Sequence, residues 1–236
     1  MARAFVGAAE PLSKAGLMAT VDDLGVDLPA LVALLAVESS TCGFQPDRRP
    51  IILFERHLFH KFTGGRFSGS HPDISNPVSG GYAFGEKEYP RLDKAIKLDR
   101  QAALKSASWG AGQVLGMNAE ACGWSDVESF VTDMCESEDL QLQAVAGYLK
   151  SRRLQVPLAA HDWAAVARGY NGANFAKFKY DIRLRGEFDR FSNAPLVPDL
   201  DVRAVVVVAS TTSVSAKATS TFPSARPRMS TTRPRN

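Results

Sequence analysis

The sequence contains no apolar run near the ~20 residues that a membrane-spanning helix needs. Cysteine is scarce, and the three residues Cys42, Cys122 and Cys135 form neither a CxxC pair nor a metal-ligand spacing. We therefore expect buried thiols and no disulfide framework. Acidic residues interrupt the first apolar stretch, so no signal peptide is expected. These absences predict synthesis in the cytoplasm, and any substrate outside the membrane would require a separate delivery route.

Net charge is low, at +3, and is unevenly distributed. Residues 196–236 contain six basic and two acidic residues, a charge of +4, which leaves −1 for residues 1–195. A nearly neutral main body argues against a nucleic-acid partner. The last segment is rich in Ser, Thr, Arg and Pro and cannot bury a core. We expect a domain over residues 1–195 and a disordered basic tail over 196–236.

Helical periodicity dominates and predicts a mainly α fold. Asp27 is suited to cap a helix that has Pro29 in its first turn. Only residues 50–54 favour a strand. Other helical patterns cover residues 11–24, 89–106, 126–135, 138–153, 161–169 and 174–190.

A long loop is predicted at residues 63–85, which contain six glycines and two prolines. A loop of this length inside a compact domain is usually functional. Phe67, Tyr82 and Phe84 favour a packed loop over a disordered excursion. The loop region also has room for a small β-hairpin.

Glu38 is the strongest candidate for catalysis. It ends the apolar run 31–37 and is followed at once by Ser39-Ser40-Thr41-Cys42-Gly43. Apolar surroundings disfavour a charged carboxylate, so we expect its pKa to rise. A glutamate that stays protonated at neutral pH is a common proton donor in glycosidic bond cleavage. The alternative is a helix-terminal glutamate that points into water.

Glu55 is a second candidate, because it lies in the apolar stretch Ile52-Leu53-Phe54 and precedes Arg56 and His57. It could act as a second cleft carboxylate or orient the substrate. It could equally form a structural ion pair.

Two further segments offer groups that suit a sugar ligand. In the first, Ser108, Trp109 and Gln113 provide a hydroxyl, a flat stacking face and an amide. In the second, Tyr170 and Asn171 provide a phenol and an amide at a helix end. A core tryptophan and a common helix-terminating turn are the structural alternatives.

Several uncommon motifs resemble those of the N-acetylmuramidase family of phage endolysins, which is related to goose-type lysozymes and lytic transglycosylases. The resemblance spans about residues 20–190. It rests on VESSTCGF, PIILFERHLFH, HPDISNP, GGYAFGEKEY, SASWGAGQVLG and YNGANFAKF.

The resemblance implies a lysozyme-like, mainly α domain that cleaves peptidoglycan between N-acetylmuramic acid and N-acetylglucosamine, with Glu38 as general acid. It implies no cofactor, and we expect a monomer that reaches the periplasm or cell wall through a holin-type route. A lytic transglycosylase that forms 1,6-anhydro products and a non-catalytic glycan-binding module remain alternatives.

No metal site is expected from the sequence. The four histidines show no ligand pattern beyond His57-x-x-His60, and these two favour packing or surface positions.

Overall fold

The computed structural model describes residues 4–38, 42–172 and 175–193, with Glu38 described in its backbone only. Residues 196–236, the predicted tail, lie outside the described part. The helices are α1 (Lys14–Leu24), α2 (Leu28–Glu38), α3 (Arg56–Phe62), α4 (Glu88–Ile96), α5 (Arg100–Lys105), α6 (Val127–Glu136), α7 (Glu138–Ser151), α8 (Gln155–Ala159), α9 (Trp163–Asn171) and α10 (Tyr180–Asn193). The mainly α prediction is confirmed.

Helix α2 lies at the centre of the core. The Asp27 carboxylate accepts a hydrogen bond of 2.8 Å from the Ala30 backbone and caps the helix. Every residue from 30 to 37 is buried, so the helix is enclosed on all sides. Helices α1, α8 and α10 pack against it. Glu38 therefore ends a buried helix, as the sequence predicts.

One small antiparallel sheet forms in the described part, in the order β1 (Ile52–Phe54), β2 (Ala107–Trp109), β3 (Val114–Leu115). The strand predicted at 50–54 is confirmed as β1. The hairpin joins β2 to β3 across residues 110–113, so it lies outside the loop 63–85, where room for it was expected. Ile52 pairs with Trp109, and Phe54 with Ala107.

The loop 63–85 is packed, as predicted. Ile74 and Ser75 are fully buried, and the Phe67 ring stacks on Phe59 with centroids 5.9 Å apart. The guanidinium of Arg56 donates to the carbonyls of Val78 and Ser79 at 2.9 and 3.3 Å. These contacts fix both halves of the loop to α3.

The cysteines are free thiols, and two of them match the prediction of burial. Cys122 and Cys135 are buried, and burial raises the pKa of each thiol to about 12. Cys42 is exposed, which corrects the expectation for that residue. It lies at the surface just beyond the end of α2, where its Sγ donates to the Phe44 carbonyl at 3.1 Å.

Candidate active site

Gly43 is fastened next to the start of the sheet. The Gly43 backbone N–H donates to the Glu138 carboxylate at 2.6 Å, and its carbonyl accepts from the Ile51 N–H at 2.8 Å. A Cβ on Gly43 would lie 1.8 Å from Gln141 Oε1, so only glycine fits there. Gly43 comes five positions after Glu38, so the two are at most about 18 Å of extended chain apart. The end of α2 is thus tethered near the start of β1.

The buried carboxylate of Glu138 organises this tether. Its second oxygen accepts from the Leu12 N–H at 2.8 Å, so one side chain joins the N-terminal segment to the chain after Glu38. Beside it, Gln141 Oε1 accepts from the Ala111 N–H at 2.7 Å and Gln141 Nε2 donates to the Met134 carbonyl at 2.9 Å. The side-chain polar atoms of Glu138 and Gln141 are all hydrogen-bonded, which stabilises the chain around Gly43.

Glu55 lies at the opposite end of β1 and is fully buried. The Tyr82 hydroxyl donates to its two oxygens at 3.1 and 3.0 Å. His57 Nδ1 lies 3.0 Å from Glu55 Oε2, within ion-pair distance but without the alignment of a hydrogen bond. We call Glu55, His57 and Tyr82 the Glu55 cluster.

The electrostatics of the Glu55 cluster follow from its burial. Burial and the neighbouring Glu55 carboxylate raise the pKa of the Tyr82 hydroxyl well above its ordinary value. Tyr82 therefore remains a proton-bearing hydrogen-bond donor at every physiological pH. Arg56 is not the ion-pair partner of Glu55, because its guanidinium binds the loop carbonyls.

Ser108 and Gln113 are brought together in the β2–β3 hairpin. Ser108 Oγ donates to Gln113 Oε1 at 2.8 Å, and Gln113 Nε2 donates to the carbonyls of Ile51 and Gly110 at 3.1 and 2.8 Å. Gln113 also has a left-handed backbone, with φ of 50°. In this conformation the amide holds the hairpin against β1.

Comparison with known proteins identifies the family of this chain. The family model described as N-acetylmuramidase matches residues 27–192, which include both carboxylate candidates and the whole sheet. The chain belongs to the N-acetylmuramidase family. A solved structure, that of a Burkholderia AP3 phage endolysin, is 38% identical with a TM-score of 0.73, over 78% of this chain and 71% of that one. A search of curated proteins found no match.

This muramidase is accordingly an enzyme that degrades peptidoglycan, with a lysozyme-like fold. In the described part, no helix is long and apolar enough to cross a membrane. Among the same residues, no group of three or more His, Cys, Asp or Glu side chains is placed to hold a metal ion. His60 Nδ1 lies 2.7 Å from Ser68 Oγ, which ties α3 to the loop.

Two aromatic candidates of the muramidase lie in its core. Trp109 is 1% exposed, its ring packs 5.5 Å from that of Phe5, and its Nε1 donates to the Leu104 carbonyl at 3.3 Å. This corrects the expectation that the ring offers an open stacking face. Tyr170 is 3% exposed and meets the Tyr148 ring edge-on at 5.8 Å.

Asn171 is half-buried and is the last residue of α9, as the sequence predicts for a helix end. It and Tyr170 lie on a different element from the Glu55 cluster and the hairpin.

Sequence reasoning missed the partners of Glu55 and of Gly43. Tyr82 is 27 residues from Glu55, and Glu138 is 95 residues from Gly43, so neither contact leaves a local signal. The motif GGYAFGEKEY did mark the Tyr82 segment as uncommon, but without a partner.

Proposed function

We propose that this muramidase is a phage-type endolysin that cleaves the glycosidic bond between N-acetylmuramic acid and N-acetylglucosamine. The observation that carries the proposal is the position of Glu38 at the end of the enclosed helix α2, inside the family match over residues 27–192. The similarity to a Burkholderia phage endolysin supports the biological role.

Glu38 acts as the general acid. Its proton passes to the leaving glycosidic oxygen while the bond to the muramic acid anomeric carbon breaks and an oxocarbenium-like transition state develops. Water then adds to that carbon and releases a proton to solvent, which leaves a reducing muramic acid end. The Glu38 carboxylate regains a proton from solvent before the next turnover. No metal ion or other cofactor takes part in this step.

Glu55 acts as a substrate-orienting carboxylate. It is fully buried beneath Tyr82, so direct activation of water would require Tyr82 to move. Its hydrogen bond instead fixes the Tyr82 hydroxyl and the attached loop beside the cleft. Positioning of this kind contributes to catalysis because small displacements of bound substrate lower the rate strongly.

Substrate binding is assigned to the half-buried amides of Gln113 and Asn171. Ser108 and Tyr170, which are 1% and 3% exposed, support these amides from beneath and do not offer an open binding surface. Trp109 contributes by supporting the hairpin from the core. The basic tail over 196–236 lies outside the catalytic domain, the enzyme acts as a monomer, and a holin-type protein provides its route to the wall.

Mass spectrometry of muropeptides released from purified sacculi tests the reaction. Reducing muramic acid ends are the expected product. Anhydro ends would identify a lytic transglycosylase, in which the muramic acid 6-hydroxyl replaces water. Binding to sacculi with no release would identify a non-catalytic glycan-binding module.

A further inference from the structure

Phe84 combines high exposure with a strained backbone. Its side chain is 58% exposed, although it is a large apolar residue. Its backbone has φ of 58° and ψ of 151°, a region that is essentially reserved for glycine. Glycine would adopt this backbone conformation without strain. The turn itself therefore does not require phenylalanine, and the phenyl ring must have another role.

A buried carboxylate holds Phe84 in this conformation. Glu88 is fully buried, and its Oε1 accepts from the backbone N–H groups of Ala83 and Phe84 at 2.6 and 2.9 Å. Its Oε2 accepts from the Phe54 N–H and from Arg91 at 3.3 and 2.5 Å. A paired carboxylate in the core thus fixes the direction in which the ring projects.

The Phe84 ring packs against the Tyr82 ring of the Glu55 cluster. Its centroid lies 5.6 Å from that of Tyr82, and the hydroxyl of Tyr82 binds Glu55. The exposed Phe84 ring therefore packs beside the half-buried ring whose hydroxyl binds the second carboxylate. We call Tyr82 and Phe84 the aromatic platform.

We propose that the aromatic platform is a sugar-binding subsite, on which Phe84 packs against the apolar face of an N-acetylated pyranose ring of the glycan strand. The negative face of an aromatic ring attracts the weakly positive C–H groups on that sugar face. The platform takes the role that the sequence suggested for Trp109, whose ring is buried. This inference rests on the proposed function and names a binding group within it.

The strain also supports this assignment. Binding and catalytic sites are where proteins retain backbone conformations that cost stability. A substitution that removes both ring and strain should therefore weaken binding without lowering the melting temperature. If the ring had a purely structural role, the same substitution would lower the melting temperature and leave binding unchanged.

The test compares the variants Phe84→Gly and Phe84→Trp with the wild-type protein. The control is Val78→Ala, because Val78 lies in the same loop and is 64% exposed. Cosedimentation with purified sacculi measures binding, and initial rates against sacculus concentration separate half-saturation from maximal rate. We expect Phe84→Gly to weaken binding roughly 2- to 10-fold, as loss of one ring contact implies. Its melting temperature should be equal to or above wild type. Phe84→Trp and Val78→Ala should bind as wild type does.

A second arm uses the soluble glycan strands that remain after an amidase has removed the stem peptides and with them the cross-links. Because these strands do not sediment, their binding is measured by how well they compete with intact sacculi for the enzyme. The Phe84→Gly defect should persist on these bare glycan strands. Wild-type binding by Phe84→Gly, or a defect that disappears on bare strands, would overturn the proposal. If wild-type enzyme released no muropeptides, the proposed function would fail, while cosedimentation would still decide on the platform.

Discussion

The Tyr82 hydroxyl donates to both carboxylate oxygens of Glu55, at 3.1 and 3.0 Å. This contact fastens the loop 63–85 to the end of β1 across 27 residues of sequence. A fully buried carboxylate with so few partners is costly for folding alone. Its hydrogen bond to the half-buried Tyr82, whose ring packs on the exposed Phe84, favours a role in positioning this loop for substrate binding.

Glu55→Gln tests this role. Glutamine retains an oxygen that accepts from Tyr82 but loses the negative charge beside His57, so we expect a destabilisation of only about 1–3 kcal/mol. Turnover on sacculi should fall by on the order of 10²-fold, because a displaced loop misplaces the substrate. Thermal unfolding and initial rates measure the two effects. Tyr82→Phe, which removes the hydrogen bond but keeps the carboxylate, separates the contribution of that bond from the contribution of the charge. A large loss of melting temperature with a merely proportionate loss of activity would show that Glu55 is structural.

Alkaline pH should destabilise the protein through its buried thiols. The pKa values of Cys122 and Cys135 are raised by burial from the ordinary 9.0 to about 12. Above about pH 9 the unfolded chain loses thiol protons that the folded chain retains. The free energy of unfolding should then fall with rising pH, by up to about 1.4 kcal/mol per pH unit for each thiol, while below pH 9 these groups have no effect.

Denaturant unfolding at pH 7, 9 and about 10 measures this slope. The double variant Cys122→Ala and Cys135→Ala should lose less stability between pH 9 and 10 than wild type. Equal slopes for the two proteins would mean that the thiols ionise alike in the folded and unfolded states.

Elements with strong local signals were predicted from the sequence. Helix α6 was expected at 126–135 and spans Val127–Glu136, because Asp126 caps it and apolar residues recur at helical spacing. The pattern at 89–106, expected as one helix, forms α4 and α5. It breaks because the Asp99 side chain accepts from the Ala102 N–H at 3.0 Å and starts a second helix.

Elements that depend on distant partners could not be predicted. Strand β2 is completely buried and only three residues long, which is too short for its pattern of apolar and polar residues to identify a strand. The stretch 174–190, expected as a single helix, contains a short 3₁₀ turn at Phe175–Phe178 before α10, since Lys179 has a left-handed φ of 54°.

The candidate site likewise has features that could be predicted from the sequence and features that could not. The chemical character of Glu38 and Glu55 is visible in the sequence, since each follows or ends an apolar stretch. The burial of Trp109, the contact of Tyr82 with Glu55 and the exposure of Phe84 depend on packing between elements far apart in sequence.

The tail over 196–236 should be dispensable for catalysis. Its composition cannot build a core, so truncation after Asn193 or Ala194 should leave lysis of purified sacculi unchanged at low and high salt. Its +4 charge should matter only with whole cells or in low-salt binding, where each Lys or Arg near an anionic surface contributes ~1 kcal/mol. Loss of activity on sacculi at both salt concentrations would place the tail within the catalytic domain.

The turnover of Glu38→Gln on purified sacculi tests the central claim most directly. Glutamine matches glutamate in shape but cannot donate the proton, so we expect a loss of at least ~10²–10⁴-fold with nearly unchanged melting temperature. Glu120 is exposed, so Glu120→Gln is the matched control and should retain full activity. Near-wild-type turnover by Glu38→Gln would contradict the assignment of Glu38 as the general acid.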